Sequence, residues 1–381
     1  MTEIESIEAF ERHLRGGAPF SNVVIQGLDL RGFTRELSIA PLAGAAFLGC
    51  QLEQEALQAA LSHGAMVFPP FMGLPYVPYR GTLYTSEELY EGFDAARPES
   101  YAQTLDARVY EHWRTQGRGN PPSILETLAQ RLHDHAVTDA LEEFLASGGK
   151  PRRVVAIMGG HSMLRGNPDY RSVAVLAREL TRRGFLMVTG GGPGAMEATH
   201  VGAWFARRPE SELDSGIALL AKAPSYKDRE WLAQAFVVRA AFPLSAEDRP
   251  ACASMGIPTW YYGHEPPNAF ATHVAKYFAN SVREDGLLTI ASGGVVFSPG
   301  SAGTIQEVFQ DACQNHYNSV GVISPMIFLG REFWMRTRPV YPLLEHLARG
   351  HEYARHLLLT DSLEEIVQAL EAYDRSRARA P

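Results

Sequence analysis

Apolar positions along the chain follow two regimes that meet near residue 150. Beyond that point, short continuous apolar runs recur at 153–158, 185–188, 216–220, 295–297, 326–329 and 357–359. Runs of that length predict strands covered on both faces. Between them, apolar residues repeat at i, i+3 and i+4, predicting helices over 170–183, 195–206, 269–284, 305–316, 333–348 and 362–373. Residues 236–240 and 258–262 are expected to continue the alternation. The class is therefore α/β, a doubly wound parallel sheet with helices on both faces. Ligands of such sheets bind outside the carboxyl ends of the strands.

The first 150 residues are less regular. An amphipathic helix is expected over 4–14, with short strands at 23–25, 28–30 and 45–52 forming a small β-rich unit. Residues 64–84 are rich in Pro, Phe and Tyr, a composition suited to packing on a neighbouring surface. Helical periodicity resumes over 86–93, 101–115 and 122–146, and Gly148-Gly149-Lys150-Pro151 then breaks the chain. This places an amino-terminal mixed α/β extension of unknown role at 1–150 and the α/β domain at 151–375.

Composition narrows the function classes. Hydrophobic content of 45% and charged content of 20% are those of a folded globular chain, and 381 residues leave room for two domains. The net charge of −8, with no basic block to offset it, argues against a nucleic-acid polymer or a membrane surface as partner. Cys50, Cys252 and Cys313 are odd in number, far apart and without metal-ligand spacing, so neither a disulfide nor a metal is expected. The acidic amino terminus lacks a basic n-region and an apolar run, and no stretch approaches a transmembrane length, which points to the cytoplasm.

Candidate chemistry gathers at the expected strand ends. Val295-Val296-Phe297 runs into Ser298, Pro299, Gly300, Ser301, Ala302, Gly303 and Thr304, and then into a helix that carries Glu307. Small residues let backbone amides approach a ligand, and the helix start adds unpaired N–H groups and the positive end of its dipole. Such a turn suits an anion, most naturally a phosphate. Two more glycine loops follow strands, Gly159-Gly160-His161-Ser162 and Gly190-Gly191-Gly192-Pro193-Gly194-Ala195-Met196-Glu197. Three such loops on one sheet edge favour a nucleotide or sugar-phosphate pocket. The second also fits the dinucleotide pattern GxGxxA, but it follows the second strand rather than the first. The next expected strand, 216–220, ends in Ala221-Lys222-Ala223 without the acid that would hold a ribose, and no cofactor is expected.

These loops, with Glu265-Pro266-Pro267-Asn268 and Pro299 to Glu307, resemble in order and spacing the LOG family, long mislabelled lysine decarboxylase. The glycine loop and the Glu-Pro-Pro-Asn segment are most similar to its larger bacterial members, the nucleoside 5′-monophosphate nucleosidases. The resemblance covers about 151–370. It implies a Rossmann-like fold and hydrolysis of the N-glycosidic bond of a nucleoside monophosphate to free base and ribose 5-phosphate. Carried over, phosphate lies on the amides of Gly300 to Thr304 and Glu307 is the catalytic carboxylate. Gly159, Gly160, His161, Ser162, Gly191, Gly192, Gly194, Met196, Glu197 and Asn268 contact phosphate, ribose or base. A homodimer or larger assembly is also implied.

Three departures stand out. Ser301 replaces the second glycine of the usual Pro-Gly-Gly, and Gln306 replaces an acid common beside the final glutamate. The basic pair on the preceding helix is reduced to Arg283, about one position out of register, with Lys276 and His273 one or two turns earlier. Two readings follow: an active phosphoribohydrolase using Glu307 and Arg283, or a nucleotide-binding regulator whose turnover is weak or lost. A decarboxylase would need a lysine at a glycine-rich strand end, and none of the four lysines sits there.

Overall fold

The computed structural model describes residues 2–118, 123–149, 151–263 and 266–378. Lys150 of the expected break and Glu265 of the Glu-Pro-Pro-Asn segment lie outside the described residues. The chain forms two compact units, one of residues 1–83 with 112–144 and one of 84–111 with 145–381. Residues 84–111 thus pack with the carboxyl-terminal unit, where a single cut at 150 had been expected. Among the described residues no helix is long and apolar enough to cross a membrane.

In the first unit, β1 (Thr2–Ile4), α1 (Ile7–Gly16), β2 (Val23–Gln26), α2 (Thr34–Ile39), β3 (Ala46–Leu48), α3 (Gln54–Ser62) and β4 (Met66–Phe68) alternate. The strands form one parallel sheet in chain order, so the expected β-rich unit is itself α/β. Its core gathers Phe10, Phe20, Ile25, Leu37 and Phe47. The Pro/aromatic segment packs on this unit. A Cβ at Gly49 would lie 2.1 Å from the Tyr79 ring, so glycine makes room for that ring. Residue 49 also has φ +64, which glycine adopts without strain. Next along the chain come α4 (Ser86–Leu89), which belongs to the second unit, and α5 (Leu105–Thr115) and α6 (Ile124–Ala146), each of which has residues in both.

The second unit then runs β5 (Arg153–Met158), α7 (Pro168–Arg182), β6 (Phe185–Thr189), α8 (Ala195–Trp204), α9 (Glu210–Leu220), α10 (Trp231–Ala241) and β7 (Ser254–Gly256). It continues with β8 (His273–Val274), α11 (Asn280–Ile290), β9 (Gly294–Phe297), α12 (Ala302–Tyr317), β10 (Met326–Leu329), α13 (Tyr341–Ala348), β11 (Leu357–Thr360) and α14 (Leu363–Arg377). All seven strands are parallel, in the order β11-β10-β9-β5-β6-β7-β8. With helices on both faces, this is the Rossmann-like doubly wound sheet. The chain winds from β5 to β8 on one side, returns to pair β9 with the other edge of β5, and continues outward. Ala156 pairs with Val295 and Met158 with Phe297 at that reversal.

Several expected elements fall elsewhere. The run 216–220 belongs to α9, where Leu213, Gly216, Ile217 and Leu220 are buried at helical spacing. Residues 236–240 lie in α10, and 258–262 hold a 3-10 turn at Trp260–Tyr262. The expected helix 269–284 divides into β8 and the start of α11, while 333–348 opens with a π turn, Phe333–Thr337, before α13.

Helix α7 starts sharply because Asn167 caps it, accepting from the Asp169 amide, and Pro168 fits the first turn. Its apolar face, Tyr170, Val173, Ala174, Ala177 and Leu180, meets α8 at Gly202. A Cβ at residue 202 would lie 2.1 Å from the Ala174 carbonyl oxygen and 2.8 Å from the Ala177 Cβ, so only glycine lets the helices close. Gly202→Val should lower the unfolding free energy of this unit by about 2 kcal/mol or more, measured by urea denaturation. An unchanged midpoint would contradict the packing described.

Candidate functional site

The reversal between β5 and β9 sets the site. The Ser298 amide donates to the Met158 carbonyl at 2.8 Å and the Gly160 amide to the Pro299 carbonyl at 3.1 Å, which ties the two strand-end loops together. The third loop closes on them as the Ala195 amide donates to the Gly160 carbonyl at 3.1 Å. Glycine is required at these crossings. A Cβ at Gly159 would lie 2.0 Å from Ser298 Oγ, and one at Gly194 2.2 Å from the Gly160 oxygen.

From this knot α12 emerges. Ser301 caps it with φ −113 and ψ −152, an extended conformation open to any residue, so serine fits where a glycine was expected. The first intrahelical bond is the Ile305 amide to the Ser301 carbonyl at 3.1 Å. The amides of Ala302, Gly303 and Thr304 therefore have no acceptor within the helix. Gly300 lies beneath Thr304, whose Oγ1 would be 2.1 Å from a Cβ there.

A cavity of about 420 Å³ opens against this helix start. Gly159, Gly160, His161, Met196, Ser301, Ala302, Gly303, Thr304, Arg283 and Glu307 line it, joined by Tyr262, Glu284 and Gln306. Arg283 does reach the cavity. Its Nε donates to the Ile257 carbonyl at 2.9 Å, and its guanidinium occupies space at Gly190, where a Cβ would lie 2.2 Å from one terminal nitrogen. The other terminal nitrogen is 3.7 Å from Glu284. Glu284 also accepts from Asn280 Nδ2 at 2.8 Å and Gln306 Nε2 at 3.1 Å.

The Glu307 carboxyl is pushed up to about 7, chiefly by loss of solvent, with Arg283 opposing the shift and Glu284 adding to it. No side chain among the described residues donates a hydrogen bond to it. The group is therefore poised near neutral pH, the range that suits proton transfer.

The other basic candidates are committed elsewhere. Lys276 is wholly buried in an ion pair with Asp106, and His273 sits on β8 beside the Thr272 hydroxyl. Glu197 is a core residue rather than a ligand contact. Arg165 grips both its oxygens at 2.7 and 2.6 Å, and the Tyr170 hydroxyl adds a bond of 3.0 Å. Gly191, Gly192, Gly194, Pro299 and Gly300 shape the loops from outside the cavity wall. The Gly191 amide donates to Thr189 Oγ1 and its carbonyl accepts from the Asn268 amide. Asn268 is itself buried, its Oδ1 accepting from the Phe270 amide, and Ser162 lies exposed beyond the rim. Sequence reasoning missed Glu284, Gln306 and Tyr262 as wall residues. Glu284 directly follows Arg283, a helix-borne pair of opposite charges that was the available signal.

No protein-family model and no curated protein matches the chain. Solved structures do resemble part of it. A molybdenum cofactor binding protein from the phototrophic bacterium Rippkaea orientalis is 14% identical, over 59% of this chain and 98% of its own, with a TM-score of 0.36. The molybdenum cofactor carrier protein of Chlamydomonas reinhardtii is 12% identical, over 59% and 99%, with a TM-score of 0.37. The structure of TM1055 is 18% identical, over 57% and 98%, with a TM-score of 0.34.

Two outcomes test this electrostatic picture. Glu307 binds its proton more tightly folded, near 7, than at its ordinary 4.5, so its stabilising contribution is complete below 4.5 and lost as pH rises through 7. Glu307→Gln should then unfold with the same free energy as wild type at acid pH and be roughly 1–3 kcal/mol more stable above neutrality. A difference independent of pH would contradict the shift. Glu197→Ala strands the buried Arg165 charge and should cost about 3–5 kcal/mol, measured by denaturant titration; a loss under 1 kcal/mol would show the pair to be solvated.

Proposed function

We propose that the carboxyl-terminal unit hydrolyses the N-glycosidic bond of a nucleoside 5′-monophosphate, releasing free base and ribose 5-phosphate. The observation that supports this best is Glu307, a carboxyl poised near neutrality one turn inside a helix whose free amides suit a phosphate. A nucleotide with its phosphate on Ala302, Gly303 and Thr304 would set its ribose toward Glu307. As the C1′–N bond stretches, the ribose becomes cationic. An ionised carboxylate stabilises that charge or takes a proton from water, and a protonated one supplies the proton the leaving base needs. Arg283, fixed by the Ile257 carbonyl, keeps a positive charge in the same wall for the anionic ligand.

The test follows free base and ribose 5-phosphate by chromatography from a panel of nucleoside monophosphates. Glu307→Ala should lower base release about 100-fold or more while nucleotide binding persists. Ala302→Pro keeps the helix start, because proline suits that position and Ser301 is already extended, but it deletes one amide donor. It should weaken monophosphate binding about tenfold and leave the unphosphorylated nucleoside unaffected. Binding of monophosphates with no base release by wild type would sink the hydrolase and leave a nucleotide-binding regulator.

A further inference from the structure

The cavity holds a second carboxylate that the hydrolytic reading has not used. Glu284 comes from α11 while Glu307 comes from α12, and both line the same space. The two are treated very differently by the fold. Glu284 has a hydrogen-bond donor on each oxygen, Asn280 on one and Gln306 on the other, with the Arg283 guanidinium beside it. Those bonds fix the direction in which the carboxylate points. Glu307 is half-buried in the cavity wall and has no such donors among the described residues. Paired acids whose surroundings differ in this way divide acid and base work between them.

Resting on the proposed hydrolysis, we infer that Glu284 is a catalytic residue of that reaction, the base that activates water, and that Glu307 is the acid that protonates the leaving base. The balance closes without any further reactant. The water oxygen bonds to C1′ and its proton passes to Glu284. The C1′–N pair stays with the base, whose nitrogen takes the proton of Glu307. Solvent then returns the proton from Glu284 to Glu307. Gln306, which stands where an acid was expected, orients Glu284 instead of supplying the second carboxylate itself.

Among the described residues, several charged and titratable groups lie near Glu284. Arg283 and Asp285 flank it on α11, Glu307 on α12 interacts with it, and His161 from the loop after β5 and Tyr262 from the 3-10 turn line the same cavity. Asp285 is itself engaged by Gln310. Because the Glu284 charge raises Glu307, neutralising the first must lower the second.

The experiment measures kcat and KM for base release from about pH 5 to 9 in wild type, Glu284→Gln and Glu284→Ala. Wild-type kcat should fall on the alkaline side as Glu307 loses its proton near 7. Glu284→Gln should lower kcat about 100-fold or more with nucleotide affinity retained, which also shows that the variant is folded. The alkaline limb of its residual activity should move to lower pH, and formate should partly rescue Glu284→Ala. A kcat within about threefold of wild type would overturn the assignment. So would a loss confined to KM with the limb unmoved, because Glu284 would then merely hold Arg283. Failure of wild type itself to release base removes the hydrolase reading and this inference together. An active wild type with an active Glu284→Gln overturns the inference alone.

Discussion

The reversal of strand order between β5 and β9 is the constraint on which the site depends. At that point neighbouring crossovers leave the sheet toward opposite faces, and a crevice opens outside the strand ends. The crevice is narrow here because three loops cross within van der Waals distance. Gly159 meets Ser298 and Ala195, and Gly194 meets the Gly160 carbonyl. Any side chain at these crossings would force the loops apart and move the start of α12. The glycines therefore act less as flexible hinges than as the condition for a close-packed knot. A rigid knot keeps the helix amides aimed at one place, so the anion proposed to bind there meets donors ordered during folding and not at binding.

Charge in the cavity follows from that geometry. On the proposed reading, a chain with net charge −8 holds its anionic ligand by local means, with helix amides and one arginine, without a basic surface. Arg283 is held by a backbone carbonyl and fills the space that Gly190 leaves, so protein contacts set its position. Two carboxylates beside it experience different surroundings. Glu284 is furnished with donors, whereas Glu307 is half-buried and has no side-chain donor among the described residues, and the contrast separates two chemically identical groups.

Much of this was legible in the sequence. The runs that became β6, β9 and β10, and β5 after Arg153, are mainly apolar and bounded by glycine, proline or polar residues, because a central parallel strand is buried on both faces. The edge strand β11 is apolar over Leu357 to Leu359 though only half-buried at its start. The three glycine loops were legible for a related reason, since close backbone approach permits few other residues. The run 216–220 misled because a short apolar stretch does not distinguish a strand from a buried helix face. β7 and β8 escaped because they are three and two residues long. Glu197 looked like a site residue from its place after the glycine loop, yet its partner Arg165 stands 32 residues earlier and only the fold brings them together. Glu284 was hidden for the same reason, because its donors come from its own helix and from α12.

The most direct measurement is a crystal structure of the protein soaked with a nucleoside 5′-monophosphate, using Glu307→Gln to slow turnover. The account predicts phosphate on the amides of Ala302, Gly303 and Thr304, with the anomeric carbon between residues 284 and 307. A nucleotide bound elsewhere, or bound here with its base rather than its phosphate at the start of α12, would contradict it.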